Sequence, residues 1–197
     1  MGFDMNAFSL AGKKAIVTGG AKKTGLCYGM AVALHDAGAE IVILDANSQV
    51  ENTVAELGGA KSGYHAVVAN LLDLNDLSNG FQQAISALGG RLDILVNGAG
   101  LQYRCPSEEF PEDAWDRIMG VNIKGVFFMS QLAGKVMLKQ GKGKIINIAS
   151  TNSFIGLRNM PAYVSSKGGV KQLTMALSSE WSGRGINVNA IAPGYMD

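Results

Sequence analysis

The stretch 14-KAIVTGGAKKTGLCYGMAVALHDAGAEIVILD-45 decides the fold. A short apolar run rich in Val and Ile ends in a glycine-rich turn, passes into a helical pattern, and leaves through Gly38 into a second apolar run. That is a β–turn–α–β unit. The strands lack polar alternation, so both of their faces are buried, as in a parallel sheet. The pattern then repeats outward. YHAVVAN, LDILVNGAG, GKIINIAS and GINVNAIAP read as further buried strands. Amphipathic stretches over 24–37, 47–58, 73–88, 111–140 and 161–183 separate the six runs, with Pro111 and Pro161 placed for first turns and Gly38 and Gly141 for exits. Alternation of this kind predicts an α/β fold, a doubly wound parallel sheet (Rossmann-like) in three α/β/α layers. Its ligand crevice lies beyond the carboxyl ends of the strands, where strand order reverses.

Composition narrows the class. The 197 residues are 47% hydrophobic and 17% charged with a formal net charge of +1, which fits a single domain over 1–197 with ample core. No basic face for nucleic acid is visible, and His35 and His65 form no metal-ligand cluster. Cys27 and Cys105 make no disulfide framework, which favours a reducing cytoplasm. No run approaches the ~18 apolar residues of a membrane span.

Chemistry-bearing residues gather at the predicted strand ends. Gly19, Gly20 and Gly25 punctuate the first turn, where backbone can approach a pyrophosphate resting on helix amides; an ordinary glycine-rich loop would look the same. Asp45 closes the second strand twenty residues past Gly25, placed to accept from ribose hydroxyls. Its carboxylate opposes a 2′-phosphate and favours NAD, whereas Lys22 and Lys23 leave NADP open. Asn70 and Leu71 end the third strand near an adenine edge. Asn97, Gly98, Ala99 and Gly100 end the fourth with small residues that permit close approach.

Tyr163 and Lys167 fall one turn apart on the helix that Pro161 opens, with Ser150 thirteen residues before Tyr163. An ammonium beside a phenol favours the phenolate and can pull a Tyr pKa of about 10 toward neutrality. A phenol so tuned can serve as general base or acid, while the serine hydroxyl holds the same substrate oxygen. The three make an alcohol–carbonyl site in outline.

With TGG…G, Asp45, NGAG, VNIKG, IINIAS, Tyr163-x-x-x-Lys167 and NAIAPG in order, the chain resembles the short-chain dehydrogenase/reductase family over essentially its whole length. The resemblance implies a tetrad of Asn122, Ser150, Tyr163 and Lys167. Tyr163 would transfer the proton, Ser150 anchor the substrate, and Lys167 modulate Tyr163 and bind ribose; Asn122 would interrupt its helix to hold a water. It further implies cofactor contacts at Gly19, Thr24, Gly25, Leu26, Asp45, Asn70, Leu71, Asn97, Ala99, Tyr163, Lys167 and Pro193, and a small-molecule alcohol or ketone as substrate. Assembly as a homotetramer or homodimer through the 111–140 and Tyr163 helices is also implied. SLAGKKAIVTG, NIKGVFFMSQ and INVNAIAPGYM are similar to the gluconate 5-dehydrogenase branch, which implies a sugar acid or polyol. Arg104 stands where that branch carries arginine and could grip a carboxylate, or simply be solvated; Arg158 is a weaker second candidate.

Three departures from the pattern stand out. The glycine-rich turn is about two residues longer than usual, with Cys27 at the third glycine's place; the longer turn and the run YGMAVAL resemble the divergent enoyl-acyl-carrier-protein reductases, but the Tyr–Lys spacing of four argues against that activity. Asn70 replaces the usual Asp. The sequence stops at APGYMD, before the usual carboxamide-binding threonine, last strand and substrate lid, and so reads as a fragment. Two other functions remain open on these residues: an NADPH-dependent ketoreductase of lipid or secondary metabolism, and a non-catalytic nucleotide-binding scaffold.

Overall fold

A computed structural model describes residues 5–195. Six parallel strands form one sheet: β1 (Lys14–Thr18), β2 (Glu40–Asp45), β3 (Tyr64–Val68), β4 (Ile94–Asn97), β5 (Gly143–Ile148) and β6 (Ile186–Ile191), ordered β3-β2-β1-β4-β5-β6. All six predicted strands are present. Order reverses between β1 and β4, whose register sets Val17 opposite Val96 and Thr18 opposite Asn97.

Alternation along each strand divides the core between two faces. Ile16, Val42, Leu44 and Leu95 pack on one side with α3 (Leu74–Ala87), α5 (Val126–Gln140) and the end of α6 (Pro161–Trp181). Ala15, Val17, Ile41, Ile43 and Val96 pack on the other with α1 (Leu26–Asp36) and α2 (Gln49–Glu56). This double coverage explains why the strands carry unbroken apolar runs. Gly38 (φ 107°) and Gly141 (φ 69°) end α1 and α5 in the left-handed region, as their positions predict. Pro161 is the first residue of α6, and the Asp73 carboxylate caps α3 by accepting from the Asn75 and Asp76 amides. Among the described residues no helix is long and apolar enough to cross a membrane.

The stretch expected as one helix over 111–140 is divided. α4 (Glu112–Met119) runs into a π-helical turn at Gly120–Gly125 before α5 begins. Periodicity alone does not reveal this, because apolar residues continue through the turn. The cause is tertiary: the Asn122 side chain is drawn to Leu101 and Ser166, and the backbone widens by one residue to let it reach them.

At the sheet's amino end, Gly185 enters β6 with φ 86°, and a methyl there would stand 2.1 Å from the Gly141 carbonyl oxygen. Gly185→Ala is expected to cost about 2–3 kcal/mol through backbone strain and this clash. Chemical denaturation would show it as a lowered midpoint.

Candidate active site

Three cavities join at the carboxyl ends of the strands. The largest, about 560 Å³, runs over the β1–α1 turn to the ends of β2 and β3. It shares Leu26, Gly98, Gly100 and Leu101 with a second of about 460 Å³ that contains Ser150, Tyr163, Lys167 and Pro193. That one shares Gln102, Ser150, Tyr163 and Gly194 with a third of about 300 Å³ lined also by Arg104 and Asn152.

In the nucleotide part, Gly19, Gly25, Leu26, Asp45, Asn70, Leu71 and Ala99 all line the cleft, as expected. Gly19 (φ 83°) permits the turn, and a methyl there would lie 3.2 Å from Cys27 Sγ and 3.3 Å from Ala99 Cα. The Asp45 carboxylate accepts from the Ala21 amide (3.0 Å) and the Asn47 amide (2.9 Å). The Thr53 hydroxyl donates to the Ala21 carbonyl at 2.6 Å. Asp45 thus holds the glycine turn in place while bordering the cleft. The lengthened turn folds back on itself through a Gly25 amide to Lys22 carbonyl bond (3.0 Å) and leaves the cleft open. No side chain caps the first turn of α1, so its amides are available to an anion. Glycines, uncapped helix amides that donate and a strand-end carboxylate that accepts are the groups a dinucleotide requires, and the site fits one.

Two expected contacts lie elsewhere. Thr24 is exposed on the turn and does not line the cleft. Asn97 is 2% exposed and turns into the core, where its Nδ2 donates to Ser130 Oγ and Asn147 Oδ1, each at 2.9 Å. It fastens β4 to α5 and β5, because at that register its side chain points away from the crevice. The two turn lysines separate as well: Lys23 pairs with Glu56, while Lys22 lines the cleft. Asn70 lends its Oδ1 to the Leu72 amide at 3.0 Å, closing its own turn.

Cys27 packs its sulfur against Gly19 and Gly98 on the cleft floor. Burial pushes its thiol pKa up, with the Lys167 ammonium pulling the other way. Thr18 was not singled out in the sequence. Its Oγ1 accepts from the amides of Gly98 (3.1 Å) and Ala99 (3.2 Å), latching the ends of β1 and β4 together. A hydroxyl residue ending β1 was the only signal available. Arg117 and Val121, from α4 and the π-helical turn, complete the cleft wall and were also unread.

In the catalytic part, α6 brings Tyr163 and Lys167 to one wall, with Nζ 5.8 Å from the phenol ring centroid. Lys167 is 5% exposed and donates to the Ile148 carbonyl at 2.6 Å. Burial lowers its pKa from 10.5 to about 8. Ser150, at the end of β5, accepts from the Asn152 amide at 3.1 Å, so its own hydrogen remains to donate to a ligand. Asn122 is fully buried: Oδ1 accepts from the Leu101 amide (2.7 Å), and Nδ2 donates to the Leu101 carbonyl (2.9 Å) and Ser166 Oγ (3.0 Å). A methyl on Gly100 would lie 3.4 Å from Asn122 Oδ1 and 3.7 Å from Lys167 Nζ, so glycine keeps that gap open. Arg104 lines the outer cavity, whereas Arg158 is exposed and outside it.

The short chain dehydrogenase family model matches residues 13–197. The 2-dehydro-3-deoxy-D-gluconate 5-dehydrogenase of Escherichia coli is 45% identical over 98% of this chain and 75% of its own length. Its Pseudoalteromonas atlantica counterpart is 42% identical over 98% and 76%. Among solved structures, a gluconate 5-dehydrogenase from Burkholderia cenocepacia, in complex with NADP and tartrate, superposes with a TM-score of 0.90 at 33% identity, covering 98% of this chain and 74% of that one. With a dinucleotide cleft opening onto a serine, a tyrosine and a lysine, and with relatives this similar, the chain belongs to the short-chain dehydrogenase/reductase family, NAD(P)-dependent oxidoreductases acting on CH–OH groups.

Proposed function

We propose that this enzyme interconverts a secondary alcohol and a ketone on a sugar acid or related polyol, with Tyr163 as the proton-transfer group and NAD preferred over NADP. One observation carries the reading. Ser150, Tyr163 and Lys167 line one cavity that is continuous with the nucleotide cleft on one side and a polar pocket on the other. The polar pocket supports the substrate class: Gln102 and Asn152 offer carboxamides and Arg104 a guanidinium, suited to hydroxyls and a carboxylate. The sugar-acid names of the relatives support it independently.

The bound nicotinamide cofactor supplies the hydride chemistry. The chain supplies orientation and proton handling. Ser150 donates a hydrogen bond to the reacting oxygen. Tyr163 accepts the hydroxyl proton as the alcohol is oxidised and returns it when the ketone is reduced. Lys167, one helical turn beyond Tyr163 with its Nζ 5.8 Å from the phenol ring centroid, would hold the cofactor ribose. Arg104 grips the substrate carboxylate. Thr24 and Asn97 are left out of the cofactor set, and Lys22 joins it. The reading includes a cytoplasmic setting, supported by the free Cys27 and Cys105, and a homotetramer or homodimer, supported by Met175, exposed on α6.

Four measurements test this. NADH formation with a panel of sugar acids and polyols reports the reaction; absence of turnover on all of them overturns the substrate class. Tyr163→Phe is expected to lower kcat by about 10²–10⁴-fold, with NADH affinity within about twofold of the parent. Asp45→Asn should move the ratio of NAD to NADP dissociation constants toward NADP by at least about tenfold, since charges ~4 Å apart near a surface interact by up to about 4 kcal/mol. An unchanged ratio removes Asp45 from cofactor selection.

The fourth concerns pH. A folded pKa of about 8 against an ordinary 10.5 means that the folded protein without cofactor binds fewer protons than the unfolded chain between those values. The penalty for burying the ammonium is therefore full below pH ~8 and relieved as pH rises toward 10.5. Lys167→Met should be the more stable protein at pH 7.5 by up to about 3 kcal/mol, with the gap closing by pH 10.5. Denaturation curves across that range check it.

A further inference from the structure

Ser153 and Ser166 have no place in the chemistry above, yet they share one bonding pattern. Ser153 Oγ accepts from the Ser150 amide at 3.2 Å and donates to the Lys167 carbonyl at 2.7 Å. Ser166 Oγ accepts from Asn122 Nδ2 at 3.0 Å and donates to the Tyr163 carbonyl at 2.8 Å. Each hydroxyl therefore takes a hydrogen from a residue outside the helix and gives its own to the backbone of a residue on α6. Ser150 is tied to Lys167, and Asn122 to Tyr163.

Helix stability does not account for these hydroxyls. A serine that back-bonds to a helix carbonyl slightly weakens its helix, and alanine is the better helix former at an interior position such as 166. Ser153 completes a capping box with Ser150 in the single 3-10 turn Thr151–Ser153, but its second bond leaves that turn for the Lys167 carbonyl on α6. What the bonds do accomplish is relative placement. Ser150 lies just past the end of β5, Asn122 sits in the π-helical turn, and Tyr163 and Lys167 ride on α6, so three separate elements must meet at one site. Asn122 passes the constraint on, because its amide also holds both backbone polar groups of Leu101, which lines the two inner cavities.

We propose that Ser153 and Ser166 are positioning residues, a pair of braces that lock Ser150 and Asn122 to α6 and so set the geometry in which Tyr163 and Lys167 act. The proposal rests on the proton-transfer reading above, and its test contains an arm that needs no turnover.

Ser153→Ala, Ser166→Ala and Ser153→Thr are compared with the parent in three measurements: steady-state kinetics with NAD and gluconate or 2-dehydro-3-deoxy-D-gluconate from pH 6 to 10, NADH affinity by fluorescence, and the rate of reductive methylation of Lys167 read by peptide mass spectrometry. Each alanine variant is expected to lose about tenfold in kcat, with a displaced pH profile and NADH affinity within about twofold, because small misplacements at a reacting centre cost rate before binding. Lys167 should label at least about threefold faster in Ser153→Ala, and Ser153→Thr, which keeps the hydroxyl, should restore parental behaviour on both counts. Alanine variants whose pH profile and labelling rate match the parent, with only the melting temperature lowered, overturn the proposal. If the parent turns over none of the substrates, the functional reading fails while labelling still decides the braces. Should Ser166→Ala not fold, Ser153→Ala decides alone.

Discussion

An ammonium held where water hardly reaches is the constraint around which this molecule is arranged. Lys167 keeps its Nζ on the Ile148 carbonyl and beside the Tyr163 ring, in a position that lowers its own pKa. Among the described residues no carboxylate neutralises it; the group that raises its pKa is Cys27, whose thiol itself resists ionisation. A buried cation without a counter-ion destabilises the fold that holds it. The surroundings offset this with backbone: a strand carbonyl for the nitrogen and a glycine at position 100 that keeps the adjoining space clear. Stability is given up at the one place where charge is useful, which is a familiar property of sites that must stabilise charge elsewhere.

The two halves of the crevice are less independent than their chemistry implies. Asp45 borders the nucleotide cleft and also fixes the glycine turn through Ala21, which Thr53 holds from α2. Thr18 latches the ends of β1 and β4, and the residues it latches, Gly98 and Ala99, form the floor between the halves. Leu101 borders both and is held by Asn122. Hydrogen bonds to backbone groups dominate at every one of these joints, so the site is shaped mainly by main chain and only then decorated by side chains.

That division explains what could be read from the sequence. Strands and helices were legible because burial on both sheet faces writes itself into apolar runs, and helix ends into Gly38, Gly141 and Pro161. Ser150, Tyr163 and Lys167 were legible because their spacing on one helix and one strand end is local. Direction was not. Nothing in NGAG distinguishes an Asn97 aimed at a cofactor from one aimed at Ser130 and Asn147; only register decides. Nor could the alternative partner of Lys23, Glu56 on a different helix, be seen before the fold brought them together. The interruption at Asn122 was implied by the family resemblance, but its partners were hidden, Leu101 and Ser166 both lying some twenty residues or more away.

The wide turn also governs how this segment can change over time. α4 and α5 run nearly as one rod, but the π-helical turn puts them out of phase. Deleting a single residue there would rotate one half against the other by roughly 100°. Since Met129 and Met137 anchor α5 in the core, the rotation would fall on α4, sweeping Arg117 off the cleft wall together with the loss of Asn122's reach. Length variation is therefore excluded from the middle of this rod.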